Sequence, residues 1–380
     1  MPTTHQEIAF INPVLLQWAL EQSRVSPAHF AKQLRISDAE LENWLAGKAR
    51  PPFNKAEEAA TLLRIPFGYL FLKTPPNVAL PIPDFRERSK GAPSFDLREL
   101  ISDVLCKQEW YVNERDLSGM KRLAFVGGFS IKSDPVKVAS DICRVLNVNG
   151  ATRRRAAGRS AYLRQLSKNA EESGLLVLRS SVVGNDQNRR LSPAEFRGFA
   201  MVNEVAPAIF INTADYVSAQ VFTFAHELAH VWIGQSGVSN PDETAPDANA
   251  IESFCNKVAA EVLVPSQQFV PIWLNHSLAG TADHFRVSTL VILRRAHELG
   301  RISKADFIRL LEEEREKVTP RSDDAGGGPD YYRLVTARMG YRLTHAVLRD
   351  VNAQKLAYRE AAALLNVSLS SLATFAAMER

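Results

Sequence analysis

The sequence predicts a mostly helical α+β protein with several domains, and three observations support that prediction. Apolar residues recur at the three- and four-residue spacing of amphipathic helices along most of the 380 residues. Short β-branched or aromatic runs, which are typical of strands, lie in the middle of the chain at 175–178, 199–202 and 208–212. Prolines are concentrated at 75–83 and glycines at 321–330, so these two segments separate the helical regions.

These breaks divide the chain into five segments. In chain order we expect a helical bundle (1–74), a Pro-rich linker (75–94), a central α+β domain (95–320), a Gly-rich hinge (321–330) and a C-terminal helical region (331–380). A chain of 380 residues is too long for one ordinary domain, and it can bury a sizeable core without disulfide bonds.

Composition and charge disfavour several classes of protein. Hydrophobic residues make up 46% and charged residues 23% of the chain, which is the normal balance of a globular protein. The three cysteines form no CxxC pair, no secretory signal begins the chain, and no apolar run reaches the ~18 residues of a membrane span. We therefore expect a reduced, cytoplasmic protein with no membrane partner. The net charge of +4 permits contact with nucleic acid without requiring it.

The first 74 residues predict a small bundle of short helices. Ser26 and Pro27 together are typical of a helix start, with serine as the cap and proline at the first helical position. Ser37 starts the next helix, and Glu40 three residues later completes the pattern of a capping box. Only two residues lie between these helices, so a tight turn joins them, and Gly47 is expected to end the second.

Three further helices are expected before the strands of the central domain, at 95–109, 135–146 and 153–172. The last of these begins with a basic cluster that consists of residues 153–155 and Arg159. We expect this cluster to form a solvated helix face, and contact with nucleic acid is the alternative.

The most informative stretch is FTFAHELAHVWI, at 222–233. His226 and His230 are four residues apart, so on a helix both imidazoles face one side and can bind the same zinc ion. Glu227 is offset by one position, where its carboxylate can take a proton from a water molecule at the zinc and pass it to a leaving amine. Almost every other residue in the stretch is apolar, so we expect this helix to be buried. HExxH alone also arises by chance.

A second helix, within IESFCNKVAAEVLVP at 251–265, supplies the expected third ligand. Glu252 and Asn256 share one face of it, so Glu252 can bind the zinc while Asn256 hydrogen-bonds a ligand histidine. A fourth position then stays open for water, as catalytic zinc sites require. Glu261, nine residues after Glu252, is the alternative ligand. The segment 234–250 between the two helices is expected to be a polar loop that borders the cleft.

This part of the chain resembles the ImmA/IrrE metallo-endopeptidases, on the stretches AHELAHVWIG and IESFCNKVAAEVLVP. The resemblance extends over about 80–314 and also includes LPIPDFRERSK, LSPAEFRGFAMVN and PAIFINTADY. The resemblance implies a gluzincin-type zincin fold and cleavage of a partner repressor, which releases genes of mobile elements or of the DNA-damage response. It also implies that His226, His230 and Glu252 bind one Zn²⁺ and that Glu227 is the catalytic base. The helical regions before and after this domain depart from the simplest members of the family.

The N-terminal helices resemble the helix-turn-helix of Xre/Cro-type repressors. The resemblance lies in the stretch SPAHFAKQL, a tight turn, and the stretch SDAELENWLAGKARPP. Such a motif inserts its second helix, here 37–45, into the major groove of DNA. The candidate DNA contacts are Arg35, Asn43, Lys48 and Arg50. Three carboxylates lie on the same helix and repel phosphate, so docking to another protein is the alternative role.

Two functions therefore remain open at the level of sequence, beside a third reading in which the domain is a zinc-free structural remnant. The first is a regulatory zinc endopeptidase that cleaves a partner protein, such as a transcriptional repressor, in the control of a stress response, a mobile element or a toxin–antitoxin system. The second is a DNA-binding transcription regulator or antitoxin whose peptidase-like domain senses or docks but does not cleave. Both functions use the same zinc residues, so the sequence does not separate them.

Overall fold

The computed structural model describes residues 7–23, 25–76, 79–86, 92–116, 119, 121–240, 249–317 and 331–378. Its described part is mostly helical with one small mixed sheet, which confirms the predicted α+β class. The chain divides into two compact units. The first unit comprises Met1–Pro81 and Gly91–Ile101, and the second comprises Ile82–Lys90 and Ser102–Arg380.

The first unit is a bundle of short helices around one apolar core. Its elements are α1 (Pro13–Ser23), α2 (Pro27–Leu34), α3 (Asp38–Leu45), α4 (Phe53–Leu63), a 3-10 helix (Phe67–Phe71) and the first residues of α5 (Phe95–Asp116). The side chains of Ser26 and Ser37 accept hydrogen bonds from the backbone N–H groups of His29 and Glu40. Both predicted helix starts are therefore confirmed as N-caps. Arg35 adopts the left-handed conformation, with φ 56°, and makes the tight turn between α2 and α3.

The four candidate DNA contacts lie in or beside α3 with exposed side chains. Asn43 is on the helix, Arg35 precedes it, and Lys48 and Arg50 follow it. The guanidinium of Arg50 lies 4.3 Å from the ring centroid of Phe10, which is itself 68% exposed. Contact of these residues with DNA stays a prediction.

The sheet of the second unit has four strands in the order β1-β3-β2-β4. They are β1 (Leu176–Ser180), β2 (Gly198–Met201), β3 (Ala208–Asn212) and β4 (Gly237–Ser239). β1 and β3 are parallel, whereas β2 is antiparallel to both β3 and β4. Three strands coincide with predicted segments. The expectation of a polar loop over 234–250 is wrong for β4, because a three-residue strand is too short to show an alternating pattern and depends on its pairing with β2.

Helices surround this sheet, and one of them is central. Before the C-terminal region the helices after α5 are α6 (Pro135–Val145), α7 (Gly150–Arg155), α8 (Arg159–Glu172), α9 (Val217–Trp232), α10 (Ala250–Leu263), α11 (Ser266–Asn275), α12 (Leu278–Phe285), α13 (Thr289–Glu298) and α14 (Lys304–Lys317). The central helix, α9, packs against β2 and β3 on one side and against α6, α8 and α10 elsewhere, and all its residues from Ala219 to Trp232 are buried.

The predicted single helix over 153–172 is wrong, because the chain breaks between α7 and α8. Gly158 lies at the break with φ +137°, a backbone conformation that residues with a Cβ rarely adopt. The break turns part of the basic cluster inward. Arg153 donates hydrogen bonds to the Leu263 carbonyl at 2.7 Å and to the Gln268 side chain at 2.9 Å. Arg153 is 4% exposed, so it is neither a solvated charge nor a surface contact for nucleic acid.

The C-terminal region folds as four helices that belong to the second unit. They are α15 (Tyr331–Met339), α16 (Tyr341–Asn352), α17 (Tyr358–Leu364) and α18 (Leu369–Met378). The predicted hinge at 321–330 lies outside the described residues. Within the described chain, no single helix has the length and apolar content needed to cross a membrane. The α17–α18 pair meets both requirements only jointly, and it is bent by 92°.

Glu171 joins the C-terminal helices to α8. Its carboxylate accepts a hydrogen bond from the Arg342 backbone N–H at 2.9 Å, and the Arg342 guanidinium donates to the Glu171 carbonyl at 2.8 Å. Gly340 allows this contact, because a Cβ there would lie 2.6 Å from both the Glu171 carboxylate and the Val177 carbonyl. Burial raises the pKa of Glu171 to about 7, although the Arg342 backbone and charge oppose the shift.

This pKa predicts a pH-dependent stability. The unfolded chain ionises Glu171 near its ordinary pKa of 4.5, but the folded chain keeps it protonated up to about pH 7, so stability falls as pH rises between these values. We expect Glu171→Gln, which stays neutral, to be more stable than the wild type by about 1–3 kcal/mol at pH 8 and nearly equal to it at pH 4.5. Urea unfolding at the two pH values measures this difference.

The matched control is Glu172→Gln, since Glu172 is the next residue and its side chain is 64% exposed. It should leave the pH dependence of unfolding unchanged. Equal pH profiles for the wild type and both variants would contradict the assignment to Glu171.

Candidate metal centre

The two histidines of the HExxH motif and the glutamate between them are completely buried on α9. His226, Glu227 and His230 each have 0% exposure. The apolar residues around them fill the core between the sheet and the surrounding helices, so the expected burial of this helix is confirmed. Because residues four apart face the same side of a helix, the ring centroids of the two histidines lie only 4.9 Å apart.

The helix α10 brings Glu252 to the histidine pair. The Asn249 side chain caps this helix by accepting the Ile251 backbone N–H at 2.9 Å, which places Glu252 in the first turn. One carboxylate oxygen of Glu252 lies 3.2 Å from Nε2 of His226, and the other lies 3.1 Å from Nε2 of His230. The two Nε2 atoms are themselves 3.1 Å apart.

The second residue expected on this face of α10 is also in place. The Oδ1 atom of Asn256 lies 2.8 Å from Nδ1 of His226. A proton on Nδ1 is then donated to the amide oxygen, which leaves Nε2 as a free lone pair facing Glu252 and His230. Asn256 therefore fixes both the orientation and the tautomer that a metal ligand needs.

These three side chains form a group that is compatible with a metal site. One ligand atom from each of His226, His230 and Glu252 lies within 4.8 Å of the others. Zinc with ligands at about 2.0–2.1 Å in a tetrahedron separates its ligand atoms by about 3.3 Å, close to the distances seen. Two imidazole nitrogens that face each other also repel unless a proton or a cation lies between them. The donor set of two nitrogens and one carboxylate fits a divalent transition metal.

Burial and neighbouring charges set the protonation of this cluster. Burial raises the pKa of Glu252, but the His226 charge and hydrogen bonds from both histidines outweigh it and hold this pKa at about 2. Burial lowers the pKa of His226, yet the Glu252 carboxylate reverses the effect and the net shift is upward. For His230 burial prevails, so its pKa is lowered. The carboxylate of Glu252 is therefore ionised and available as a ligand.

Glu227 differs from Glu252 because, within the described part of the chain, its nearest hydrogen-bonding group is the distant hydroxyl of Ser239. Neither of its buried carboxylate oxygens makes a hydrogen bond of normal geometry. Burial raises its pKa to about 8, with His226 and Ser239 lowering it and Glu252 raising it to smaller extents. Gly198 on β2 leaves space for this carboxylate, since a Cβ at that position would lie 3.0 Å from Oε1. Glu227 is thus a buried acid beside the cluster.

Glu261, the alternative ligand, does not reach the cluster. Its carboxylate pairs with the Arg295 guanidinium and also accepts hydrogen bonds from Ser266, at 3.0 Å from the backbone nitrogen and 2.9 Å from the hydroxyl. Nine residues along a helix correspond to two and a half turns, so Glu261 faces away from Glu252. Its role is a buried ion pair.

Two residues near the cluster were not predicted from the sequence. The hydroxyl of Ser239 lies 3.3 Å from Nε2 of His230, and the ring of Phe85 stacks on the His230 ring with centroids 5.7 Å apart. Ser239 lies in the segment predicted as a polar loop (234–250), and Phe85 in the segment predicted as a linker (75–94). The only signal for Phe85 is its place within LPIPDFRERSK, one of the stretches that carry the family resemblance.

Comparison with known proteins gives one match. Residues 170–297, about a third of the chain, match the family model described as the IrrE N-terminal-like domain, Peptidase_M78. This segment contains the four strands and both helices of the candidate centre, so the match supports the resemblance to the ImmA/IrrE family over this part of the chain. No curated protein and no solved structure matches the chain.

The geometry predicts that the full-length chain binds one equivalent of a divalent metal. Mutation of a residue that only supports a ligand typically weakens metal binding by about 10–100-fold. Glu252→Gln removes an anionic ligand itself, so it should weaken the binding of Zn²⁺ by more than that. Competition against a chelator of known affinity, followed by metal analysis, measures the effect.

Glu261→Gln is the matched control, because Glu261 lies on the same helix and is 9% exposed but belongs to the Arg295 ion pair. It is expected to keep the full metal content even if the protein becomes less stable. An equal loss of metal in both variants would show that the effect is structural and would contradict the assignment of Glu252.

Proposed function

We propose that this chain is a zinc-dependent endopeptidase that cleaves a partner protein with a regulatory role. The observation that carries the proposal is the buried group of His226, His230 and Glu252 with the buried acid Glu227 beside it. The match of 170–297 to the IrrE N-terminal-like peptidase family supports a peptidase activity.

The donor set is the reason for proposing zinc. Three protein ligands from two helices, with an open fourth position, are typical of catalytic zinc, whereas structural zinc is usually closed by four protein ligands. Zinc, when bound, polarises a carbonyl oxygen and makes a water molecule acidic near neutral pH. The gluzincin-type fold of this domain is part of the proposal.

The residues of the chain then divide the work between them. Glu227 takes a proton from the attacking water, and its position on α9 allows it to pass that proton to the nitrogen of the departing amine. Asn256 holds His226 in the required tautomer through the hydrogen bond at 2.8 Å. Glu252 supplies the negative charge that offsets the cation in a buried site.

The proposed substrate is a protein partner such as a transcriptional repressor or a component of a toxin–antitoxin system. This part of the proposal rests on the resemblance to ImmA/IrrE enzymes and on the N-terminal helices that resemble a helix-turn-helix. Those helices bind either DNA or the partner protein. The proposed location of the enzyme is the cytoplasm, where such partners occur.

The test uses the zinc-loaded full-length chain, incubated with the proteins encoded beside its gene and, separately, with a cell extract analysed for new protein N-termini. We expect one or a few specific cleavages by the wild type. Glu227→Gln should keep its zinc and lose cleavage by about 10²–10⁴-fold, because it can no longer accept the proton.

Glu204→Gln is the control for this experiment, since Glu204 lies on the surface in an ion pair with Arg122. It should cleave as the wild type does. If the zinc-loaded wild type cleaves nothing in either assay but binds DNA from its own promoter region, the chain is instead a transcription regulator with a sensing domain. The proposal of an endopeptidase then fails.

A further inference from the structure

A short segment far ahead of the HExxH motif pairs through one β-bridge with the edge of the sheet beside the candidate metal centre. We call Ile82–Arg86 the outer strand. The backbone N–H of Val238 on β4 donates to the Pro83 carbonyl at 2.9 Å, and the N–H of Phe85 donates back to the Val238 carbonyl at 3.0 Å. Asp84 and Val238 accordingly form a parallel bridge. The outer strand thus lies beside β4, whose last residue, Ser239, contacts His230.

This pairing places the Phe85 ring flat against the ring of His230. The two centroids are 5.7 Å apart and the ring planes differ by 13°. β4 makes room for the ring, because a Cβ at Gly237 would lie 2.2 Å from two Phe85 ring carbons. No side chain larger than hydrogen can occupy position 237 while Phe85 stays on the histidine. The contact is therefore built into both strands.

The two ligand histidines are supported in different ways. His226 has the Asn256 side chain on Nδ1, at 2.8 Å. Among the described residues, Nδ1 of His230 makes no hydrogen bond of normal geometry, and the Gln235 backbone is a weaker polar contact of this side chain. Metal-binding histidines need an outer contact to fix the ring. For His230 the stacked Phe85 ring is a second contact, which restricts the orientation of the imidazole plane.

The outer strand is itself firmly anchored by Arg86. The guanidinium of Arg86 binds both carboxylate oxygens of Asp84, at 2.8 and 2.7 Å, and reaches the Glu195 carboxylate at 3.4 Å. The Arg86 side chain is 1% exposed, and that of Glu195 is 5% exposed. A two-pronged ion pair of this kind fixes direction as well as distance. Because Asp84 and Arg86 both belong to the outer strand, this pair fixes the local shape of the strand, and the buried contact with Glu195 joins it to another part of the chain.

We propose that Phe85 is a positioning residue that fixes the ring of the metal ligand His230, and that the outer strand is a required part of the metal centre. This inference rests on the proposed function. Phe85 lies outside the segment 170–297 that matches the family model. That segment contains the three proposed ligands but not the ring that stacks on His230.

The experiment uses the full-length chain with Co²⁺ in place of zinc, because the visible absorption of Co²⁺ reports the geometry of its ligands. Phe85→Leu keeps an apolar side chain but removes the stacked ring, and Phe85→Ala removes both. We expect both variants to shift the Co²⁺ spectrum and to weaken zinc binding, measured by chelator competition, by about 10-fold or more. Phe85→Tyr restores an aromatic ring and should return both readouts to near the wild-type values.

Phe210→Leu is the matched control. Phe210 lies in the same sheet and stacks on Phe199 with centroids 5.0 Å apart, but alternation along β3 places it on the face opposite α9. It should lower the melting temperature and leave the Co²⁺ spectrum and zinc affinity unchanged. Circular dichroism identifies any variant that fails to fold, and Phe85→Leu is the variant chosen to avoid this.

The outcomes separate the two proposals. If the wild type binds no stoichiometric metal, the proposed zinc enzyme fails and the positioning role fails with it. If the wild type binds metal and folded Phe85→Leu shows the wild-type spectrum and affinity, the positioning role is overturned while the metal site stands. A Phe210→Leu variant that loses metal to the same extent as Phe85→Leu also overturns it, because the effect then comes from general destabilisation.

Discussion

The burial of two histidines and two glutamates at one point is the constraint on which the rest of this fold depends. Polar and charged groups removed from water are costly unless each finds a partner. Here Glu252 is shared between His226 and His230 at 3.2 and 3.1 Å, and Asn256 satisfies the outer nitrogen of His226. α9 and α10 must hold a fixed spacing to keep these distances, and the apolar core around α9 supplies it.

The sequence predicted those parts of the site that depend on helical periodicity. The four-residue spacing of His226 and His230 becomes a shared face in any helix, and the same rule places Glu252 beside Asn256. Periodicity also explains why two buried acids on α10 have different partners, since Glu261 lies half a turn out of phase with Glu252 and pairs with Arg295. In both cases the spacing of residues along one helix was sufficient to predict which side chains face the same way.

The parts that could not be predicted depend on contacts between distant segments. A Pro-rich stretch is typical of a linker, so nothing local indicated that Phe85 pairs with β4 and stacks on His230. β4 itself has three residues, too few for an alternating pattern, and exists because β2 is beside it. Arg153 illustrates the same limit, because its charge and spacing indicated a surface position until the break at Gly158 turned it inward.

The two glutamates of the centre finally show how environment gives one residue type opposite pKa shifts. A metal ligand must stay ionised, and the two histidines hold the pKa of Glu252 at about 2. The proposed proton carrier must bind and release a proton readily, and burial raises the pKa of Glu227 to about 8. Two carboxylates in one site can take different acid–base roles when their environments shift their pKa values in opposite directions. If Glu252 had the raised pKa of Glu227, it would be protonated at neutral pH and would be a poor anionic ligand. If Glu227 had the low pKa of Glu252, it would not hold a proton at neutral pH.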